Sequence, residues 1–212
     1  MKKVSRLLIG FLMVAGSFNG TQAQESSWTT GVDLVSSYIW RGTKFGSGPA
    51  FQPSLEYAKG GFAIGAWGNY CFSDNQALES DLYMSLTSKS GLGITVSDYY
   101  FPTAKWFKGS SHYIEPMISF KKEKFSLLAA YMLGDGVKDL YLEAGVTAGP
   151  VNLTLGAGDG QYTAGGKFNV CNIGLSTSKE VKITESFSLP VSGSLILNPS
   201  SEQFFIVVGI SL

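Results

Sequence analysis

The sequence predicts an all-β protein: a transmembrane, antiparallel, up-and-down β-barrel of about 12 strands that follows an N-terminal signal peptide. Three observations lead to this fold class. Apolar and polar residues alternate along most of the chain, the alternating segments have the length of membrane-crossing strands, and the connections between them are alternately short and long. Only 15% of the 212 residues are charged while 13% are aromatic, a composition that excludes a disordered chain.

The N-terminus has the residue order of a secretory signal peptide. The basic residues Lys2, Lys3 and Arg6 precede a short apolar run, which is followed by small residues. This order is typical of exported proteins, and the apolar run is too short for a membrane-spanning helix. We therefore assign residues 1–23 to the signal peptide and residues 24–212 to the barrel.

The alternation is clear in the segment 78–88. Leu82, Met84 and Leu86 share one face, while Asp81 and Tyr83 share the other. Successive side chains of a strand point to opposite faces, so this two-residue period predicts sheet rather than helix. A tilted strand needs about 9–11 residues to cross a bilayer, and most of the predicted strands are close to that length. They lie at 28–40, 50–58, 61–71, 78–88, 92–100, 112–121, 124–133, 138–148, 150–157, 168–178, 181–197 and 204–212.

The predicted connections fall into two sets. One set consists of short turns: Lys59-Gly60, Lys89-Ser90-Gly91, Lys122-Glu123, Gly149 and Lys179-Glu180. The other is generally longer: 41–49, 72–77, 101–111, 134–137, 158–167 and 198–203, of which only 134–137 is short. Outer-membrane barrels have short periplasmic turns and longer external loops. We therefore predict a location in the bacterial outer membrane, with both mature termini in the periplasm. The expected partners are outer-membrane lipid and, during biogenesis, the barrel assembly machinery.

Several segments resemble a known family. Residues 37–42 (SYIWRG), 49–55 (PAFQPSL) and 61–68 (GFAIGAWG) are similar to the opening of the TorF-type porins. Later segments, among them 79–81, 140–143 and 189–209, are similar too. The resemblance covers nearly the whole mature chain. It implies an outer-membrane β-barrel of Gram-negative bacteria with a transport role.

Polar residues of the inward-facing rows are predicted to line the lumen, and carboxylates dominate this set. The first two predicted strands are neighbours, so we expect Arg41 to pair with a carboxylate on one of them, Glu56 or Asp33. The pattern favours a narrow, acidic-lined channel for small polar solutes or ions. The alternative is a plugged structural barrel without transport, whose charges pair with one another. The predicted pore-lining residues are Asp33, Arg41, Glu56, Glu79, Asp81, Tyr83, Glu115, Asp139, Tyr141 and Glu143.

A further alternative is an outer-membrane lipid hydrolase. His112 is the only histidine and would act with Ser110 or Ser111 and Glu115. On an extended strand, residues 112 and 115 point to opposite faces, and the chain has no G-x-S-x-G motif. We therefore predict no enzyme, no catalytic residue, no cofactor and no metal site. A formal net charge of zero without a basic stripe predicts no nucleic-acid partner.

The two cysteines fall on predicted strands that are not neighbours. Cys71 lies on the third and Cys171 on the tenth, so no disulfide is expected between them. The alternation places Cys171 in the outward row with Ile173 and Leu175.

Overall fold

The computed structural model describes residues 26–73, 78–102 and 105–212, and the predicted signal peptide at 1–23 lies outside these residues. A single 3-10 turn, Gly109–Ser111, precedes β8. No helix in the described part of the chain is long and apolar enough to cross a membrane. The strands are β1 Ser27–Val35, β2 Tyr38–Trp40, β3 Thr43–Phe45, β4 Ala50–Lys59, β5 Phe62–Cys71, β6 Glu79–Thr87, β7 Leu92–Tyr100, β8 His112–Lys122, β9 Phe125–Leu133, β10 Lys138–Ala148, β11 Val151–Gly160, β12 Gly166–Lys182, β13 Ser188–Asn198 and β14 Gln203–Ser211.

Twelve of the described strands, β1 and β4–β14, form a closed barrel in which neighbours pair antiparallel. The barrel closes where β1 pairs with β14, in the register Asp33↔Ser211, Leu34↔Ile210 and Val35↔Gly209. Two backbone hydrogen bonds between Val32 and Leu212 extend this contact. Strands β2 and β3 pair only with each other. The predicted twelve-stranded antiparallel barrel is therefore confirmed.

The connections are sorted between the two ends of the barrel. At one end, the turn end, the connections are 60–61, 88–91, 123–124, 149–150 and 183–187. At the other, the loop end, they are 36–49, 72–78, 101–111, 134–137, 161–165 and 199–202. The N-terminal end of β1 and the C-terminal end of β14 both lie at the turn end, as an even number of strands requires.

The two faces of the barrel wall have opposite character. Outward side chains are mainly apolar and exposed, as in Leu86 at 60% and Ile206 at 65%, whereas the inward Asp81 and Glu115 are only 1% and 0% exposed. A water-soluble protein has the reverse distribution, with carboxylates outside and large apolar residues inside. An apolar exterior around a polar interior is the distribution of a barrel embedded in lipid.

One predicted strand and one predicted turn have the wrong limits. The predicted strand 28–40 ends at Val35, because the chain turns into the barrel and its last residues form β2. The predicted turn at Lys179-Glu180 is part of β12, where these residues pair with Val191 and Pro190. The turn lies at 183–187 instead, closed by a bond from the Phe187 amide to the Thr184 hydroxyl. A Lys-Glu pair resembles the other short turns but can equally occupy an exposed strand.

The predicted outward orientation of Cys171 is also wrong. The pairing of β11 with β12 shifts by one residue between Gly156 and Ala157, whose partners are Asn172 and Val170. Cys171 is the extra residue of this β-bulge, which interrupts the alternation, so Cys171 and Asn172 are both buried. Cys71 and Cys171 are free thiols on β5 and β12.

Two turn glycines provide a test of the turn geometry. Gly91 has a φ of +91°, and a Cβ at this position would lie 1.9 Å from the Lys121 carbonyl oxygen. Gly149 has a φ of +62° with no atom within 4 Å of the same position. We expect Gly149→Ala to lower the free energy of unfolding by about 1–2 kcal/mol, the cost of a left-handed non-glycine residue. Gly91→Ala should cost more because a backbone atom must also move. Urea unfolding of refolded protein measures both, and equal losses would contradict the close contact at Gly91.

Candidate functional site

The main feature of the lumen is a β-hairpin that folds into it. Residues 36–49, here called the lumen hairpin, connect β1 to β4 and contain β2 and β3. Tyr38 pairs with Phe45, and Trp40 pairs with Thr43. Arg41 forms the tip together with Gly42, and both have a positive φ, of 51° and 81°. The hairpin lies inside the barrel, and Tyr38 is only 5% exposed.

Apolar contacts hold one side of the lumen hairpin. Ile39 is fully buried and forms a cluster with Ile196 of β13 and Val207 of β14. These two wall residues point inward although the lumen is otherwise rich in polar groups. They therefore provide an apolar surface on which Ile39 can be removed from water.

Aromatic rings surround the rest of the hairpin. The Trp40 ring lies 5.6 Å from that of Tyr99 and 5.5 Å from that of Tyr162. The Tyr38 ring lies 5.6 Å from that of Trp67 on β5. Contacts between ring centroids at these distances are favourable beyond the area they bury.

Arg41 makes the central polar contact of the lumen. Its two terminal nitrogens donate to the two carboxylate oxygens of Glu115, at 2.6 and 2.9 Å. One of them also donates to the Tyr162 hydroxyl at 2.7 Å. The guanidinium lies 4.4 Å from the ring centres of both Trp40 and Tyr141. We call Trp40, Arg41, Glu115, Tyr141 and Tyr162 the arginine cluster.

The arginine cluster keeps its charges in the buried state. Burial lowers the pKa of Arg41, but the neighbouring Glu115, Tyr162 and Tyr99 together raise it by more, so the net shift is upward and the guanidinium stays protonated. Glu115 accepts further hydrogen bonds from the hydroxyls of Tyr99 at 2.8 Å and Tyr162 at 3.3 Å. A buried ion pair needs such additional bonds to offset the loss of hydration.

The tip of the hairpin packs against the far wall. A Cβ on Gly42 would lie 1.9 Å from the carbonyl oxygen of Cys171 on β12, so only glycine fits there. The buried Asn198 side chain donates to the Gly42 carbonyl at 3.2 Å and to that of Tyr162 at 3.4 Å. The lumen hairpin therefore spans the lumen from β1 and β4 to the opposite strands.

The predicted position of Arg41 on the barrel wall, with Glu56 or Asp33 as its partner, is wrong. The hairpin carries Arg41 across the lumen to Glu115 on β8. Glu56 instead accepts a hydrogen bond from Tyr83 at 2.8 Å, and Asp33 accepts one from the hydroxyl of Ser211.

The other predicted lumen residues lie on the wall, and three of them have partners there. The Tyr141 hydroxyl donates to Glu143 at 2.6 Å, and Asn172 also donates to this carboxylate at 3.4 Å. Asp139 accepts a bond from the Gln161 amide at 3.0 Å. The remaining two, Glu79 and Asp81, are buried near Tyr38 at the base of the hairpin, and Tyr99, which binds Glu115, pairs with Asp81 in the sheet.

His112 lies on the outside of the wall. Its Nδ1 is 2.9 Å from both carboxylate oxygens of Asp98, and its Nε2 faces the backbone carbonyl of Trp106. Glu115 points into the lumen, where it binds Arg41. The Ser111 hydroxyl donates to the Lys105 carbonyl at 3.3 Å. The structure therefore does not bring together the residues of the hydrolase alternative.

Comparison with known proteins places the chain in a family. Residues 20–165 match the family model described as bacterial protein of unknown function (Gcw_chp). The chain belongs to the Gcw_chp family. A search of curated proteins finds no match to this Gcw_chp member.

Solved structures similar to this Gcw_chp protein include mutants of the Rhodopseudomonas blastica porin. Two of them are 12% identical with a TM-score of 0.44, over 77% of this chain and 55% of the porin. The chain thus spans about half the length of these porins. Another mutant is 10% identical with a TM-score of 0.35, over 89% of this chain and 99% of the matched chain.

Sequence reasoning missed the lumen hairpin of this Gcw_chp protein, together with Tyr99, Tyr162 and Asn198, which hold it. Two signals in the sequence point to it. Trp40-Arg41-Gly42 is followed by a glycine-rich segment, which is typical of a tight hairpin. The apolar residues Ile196 and Val207 interrupt a lumen face that is otherwise largely polar, so a partner had to cover them.

Removal of either charge of the central ion pair should loosen the hairpin. We expect Arg41→Gln or Glu115→Gln to lower the free energy of unfolding by about 3–5 kcal/mol, because each leaves one buried charge unpaired. The double variant should lower it by less than the sum of the two single losses. The native Cys171 thiol is a local probe, because it is fully buried and Trp40 packs against its cluster. In a Cys71→Ala background, both single variants should increase the rate of its reaction with maleimide at least tenfold.

Glu56→Gln is the matched control for this experiment, because Glu56 is a lumen carboxylate outside the arginine cluster. Heat-modifiable gel migration should show that every variant remains folded. A Cys171 thiol that stays as unreactive in folded Arg41→Gln as in the native protein would show that the ion pair does not hold the hairpin.

Proposed function

We propose that this protein is a narrow outer-membrane channel for small polar solutes or ions, preferring cations, and that the lumen hairpin controls its bore. The observation that carries the proposal is a hairpin held across an acidic lumen by side chains centred on Arg41. The resemblance of residues 37–42, 49–55 and 61–68 to TorF-type porins supports it.

The outer face of the barrel supports a location in lipid. Large apolar side chains such as Leu82, Ile118 and Leu155 are about half exposed on the outside of the wall. A basic residue at such a position would cost about 2–4 kcal/mol at the middle of a bilayer. The three longest connections, 36–49, 72–78 and 101–111, all lie at the loop end, which agrees with a periplasmic turn end and an external loop end. The proposed partners are therefore outer-membrane lipid and, during biogenesis, the barrel assembly machinery.

The charge of the lumen supports a preference for cations. The carboxylates of Asp33, Glu56, Asp139 and Glu143, whose partners are given above, add to those of Glu79, Asp81 and Glu115 in the proposed lumen lining. Arg41 forms the one ion pair of the lumen among the described residues. Excess negative charge inside a low-dielectric wall concentrates cations and repels anions.

The way the hairpin is attached supports a movable constriction. Its own strands pair with each other and not with the barrel. The tip contacts the wall through side chains of Arg41, Glu115, Tyr162 and Asn198. Such contacts can break without opening any strand pairing of the barrel.

A second candidate is a sealed barrel without transport. It is favoured by the deep burial of the arginine cluster, in which Arg41 is 7% and Glu115 0% exposed. Neither candidate gives the protein a catalytic residue or a cofactor, and we expect no lipid hydrolase activity.

Conductance measurements distinguish the two candidates. Replacement of residues 38–47 by a short Gly-Ser linker should increase the single-channel conductance several-fold over the native protein, because the linker leaves the lumen open. The open variant should select cations at 0.1 M salt and less so at 1 M, as the Debye length falls from about 10 to about 3 Å. Lys44→Gln is the control, since Lys44 is an exposed residue of the same hairpin. A folded linker variant without conductance would support the sealed barrel.

Labelling of whole cells tests the location and topology. Cysteines introduced by Gly109→Cys and Gly165→Cys lie at the loop end, in open surroundings, and should react with a membrane-impermeant maleimide. Cysteines at Ser90 and Glu185 lie at the turn end and should react only after lysis. The native thiols are buried and give little background. Equal labelling of both pairs in intact cells would contradict the proposed topology.

A further inference from the structure

Glu79 and Asp81 are two buried carboxylates at the base of the lumen hairpin. They are two residues apart on β6, so both point inward, and they are 5% and 1% exposed. Asp81 is flanked in the sheet by Trp67 on β5 and Tyr99 on β7. The hydroxyl of Tyr38 forms a hydrogen bond with Glu79 and lies close enough to Asp81 to interact with its charge.

Asp81 differs from the other carboxylates of the lumen. Glu115, Glu143, Glu56, Asp139 and Asp33 each accept a hydrogen bond from a side chain or backbone amide. Both carboxylate oxygens of Asp81 are buried and lack a hydrogen bond of normal geometry, although the backbone of Tyr100 lies close enough to interact with them. Leaving such a group unpaired costs several kcal/mol, which is the reason that buried charges normally have a partner.

No basic side chain compensates this pair. Among the described residues, no lysine or arginine nitrogen lies within 4 Å of Glu79 or Asp81. Arg41 is engaged by Glu115 in the arginine cluster. Two carboxyl groups therefore share one protein-enclosed space in which no basic side chain of the described residues neutralises them.

We propose that Glu79, Asp81 and the Tyr38 hydroxyl bind a hard divalent cation such as Ca²⁺. All three groups offer oxygen, which Ca²⁺ prefers, and two carboxylates balance its charge. No third His, Cys, Asp or Glu joins this pair in the described part of the chain, so water completes the coordination. The site should be weak, with a Kd of about 10⁻⁴–10⁻³ M, as in calcium sites with low ligand charge.

The cation would also support the hairpin. Tyr38 belongs to the hairpin, whereas Glu79 and Asp81 belong to the wall, so a shared cation links the two. This contact lies at the base and uses none of the side chains of the arginine cluster at the tip. It goes beyond the proposed channel function, because a cation can bind there whether or not the barrel conducts.

Calcium titration of the purified full chain in detergent tests the proposal without any measurement of transport. Isothermal titration calorimetry should show saturable Ca²⁺ binding, and Ca²⁺ should raise the unfolding temperature. Asp81→Asn and Glu79→Gln should each weaken binding at least tenfold and abolish the thermal shift. Glu56→Gln and Glu143→Gln, which remove lumen carboxylates elsewhere, should leave both unchanged.

Asp81→Asn is informative even without Ca²⁺. The amide carries no charge and can donate a hydrogen bond as well as accept one, so the variant should unfold at a higher temperature than the calcium-free native protein. Absence of saturable binding by the native protein up to about 10 mM Ca²⁺ would overturn the proposal. This concentration lies above the dissociation constant expected for such a site. Undiminished binding by folded Asp81→Asn would also overturn the proposal, by placing the cation elsewhere. Because binding is measured in detergent, failure of the channel proposal leaves this result unaffected.

Discussion

Closure of the sheet between β1 and β14 is the constraint on which the other features depend. The contact is short, with three paired residues on each strand and the bonds between Val32 and Leu212. An open edge would leave backbone amides and carbonyls unpaired, which is not tolerated in hydrocarbon. Once the sheet is closed, the two-residue alternation divides its side chains between an outer surface and an enclosed lumen. The carboxylates inside must then find partners in a confined space.

The lumen hairpin supplies both the volume and the partners that closure requires. A twelve-stranded barrel lies between eight strands, whose interior side chains can fill, and sixteen, which leave an aqueous channel. One side of the hairpin is apolar, where Ile39 covers Ile196 and Val207. Its tip is cationic, where Arg41 meets Glu115. A single inserted segment thus packs the lumen and neutralises one of its buried carboxylates.

The parts that could be predicted from the sequence are those set by local periodicity. The alternation around Leu82 and Asp81 identifies the strand and its lumen face, and repetition of this pattern predicts twelve strands. The alternation says nothing about the path of a loop, so the predicted first strand continues to residue 40, through residues that turn inward. It also fails at the bulge that buries Cys171. The pairing of Arg41 with Glu115 joins residues 74 positions apart, and only the closed fold brings them together.

The attachment of the hairpin makes its tip the part that can move. At its base, the Ser36 amide donates to the Val208 carbonyl at 2.8 Å, and the Pro49 carbonyl accepts from the Phe72 amide at 2.9 Å. These backbone bonds join the base to the barrel rim, whereas the tip is held by side chains. Opening the tip exposes Arg41 and Glu115 to water, and the hydration they regain offsets part of the lost attraction. A buried ion pair at the tip therefore holds the hairpin closed with less net free energy than its short distances suggest. Local opening of this kind needs far less free energy than unfolding of the barrel.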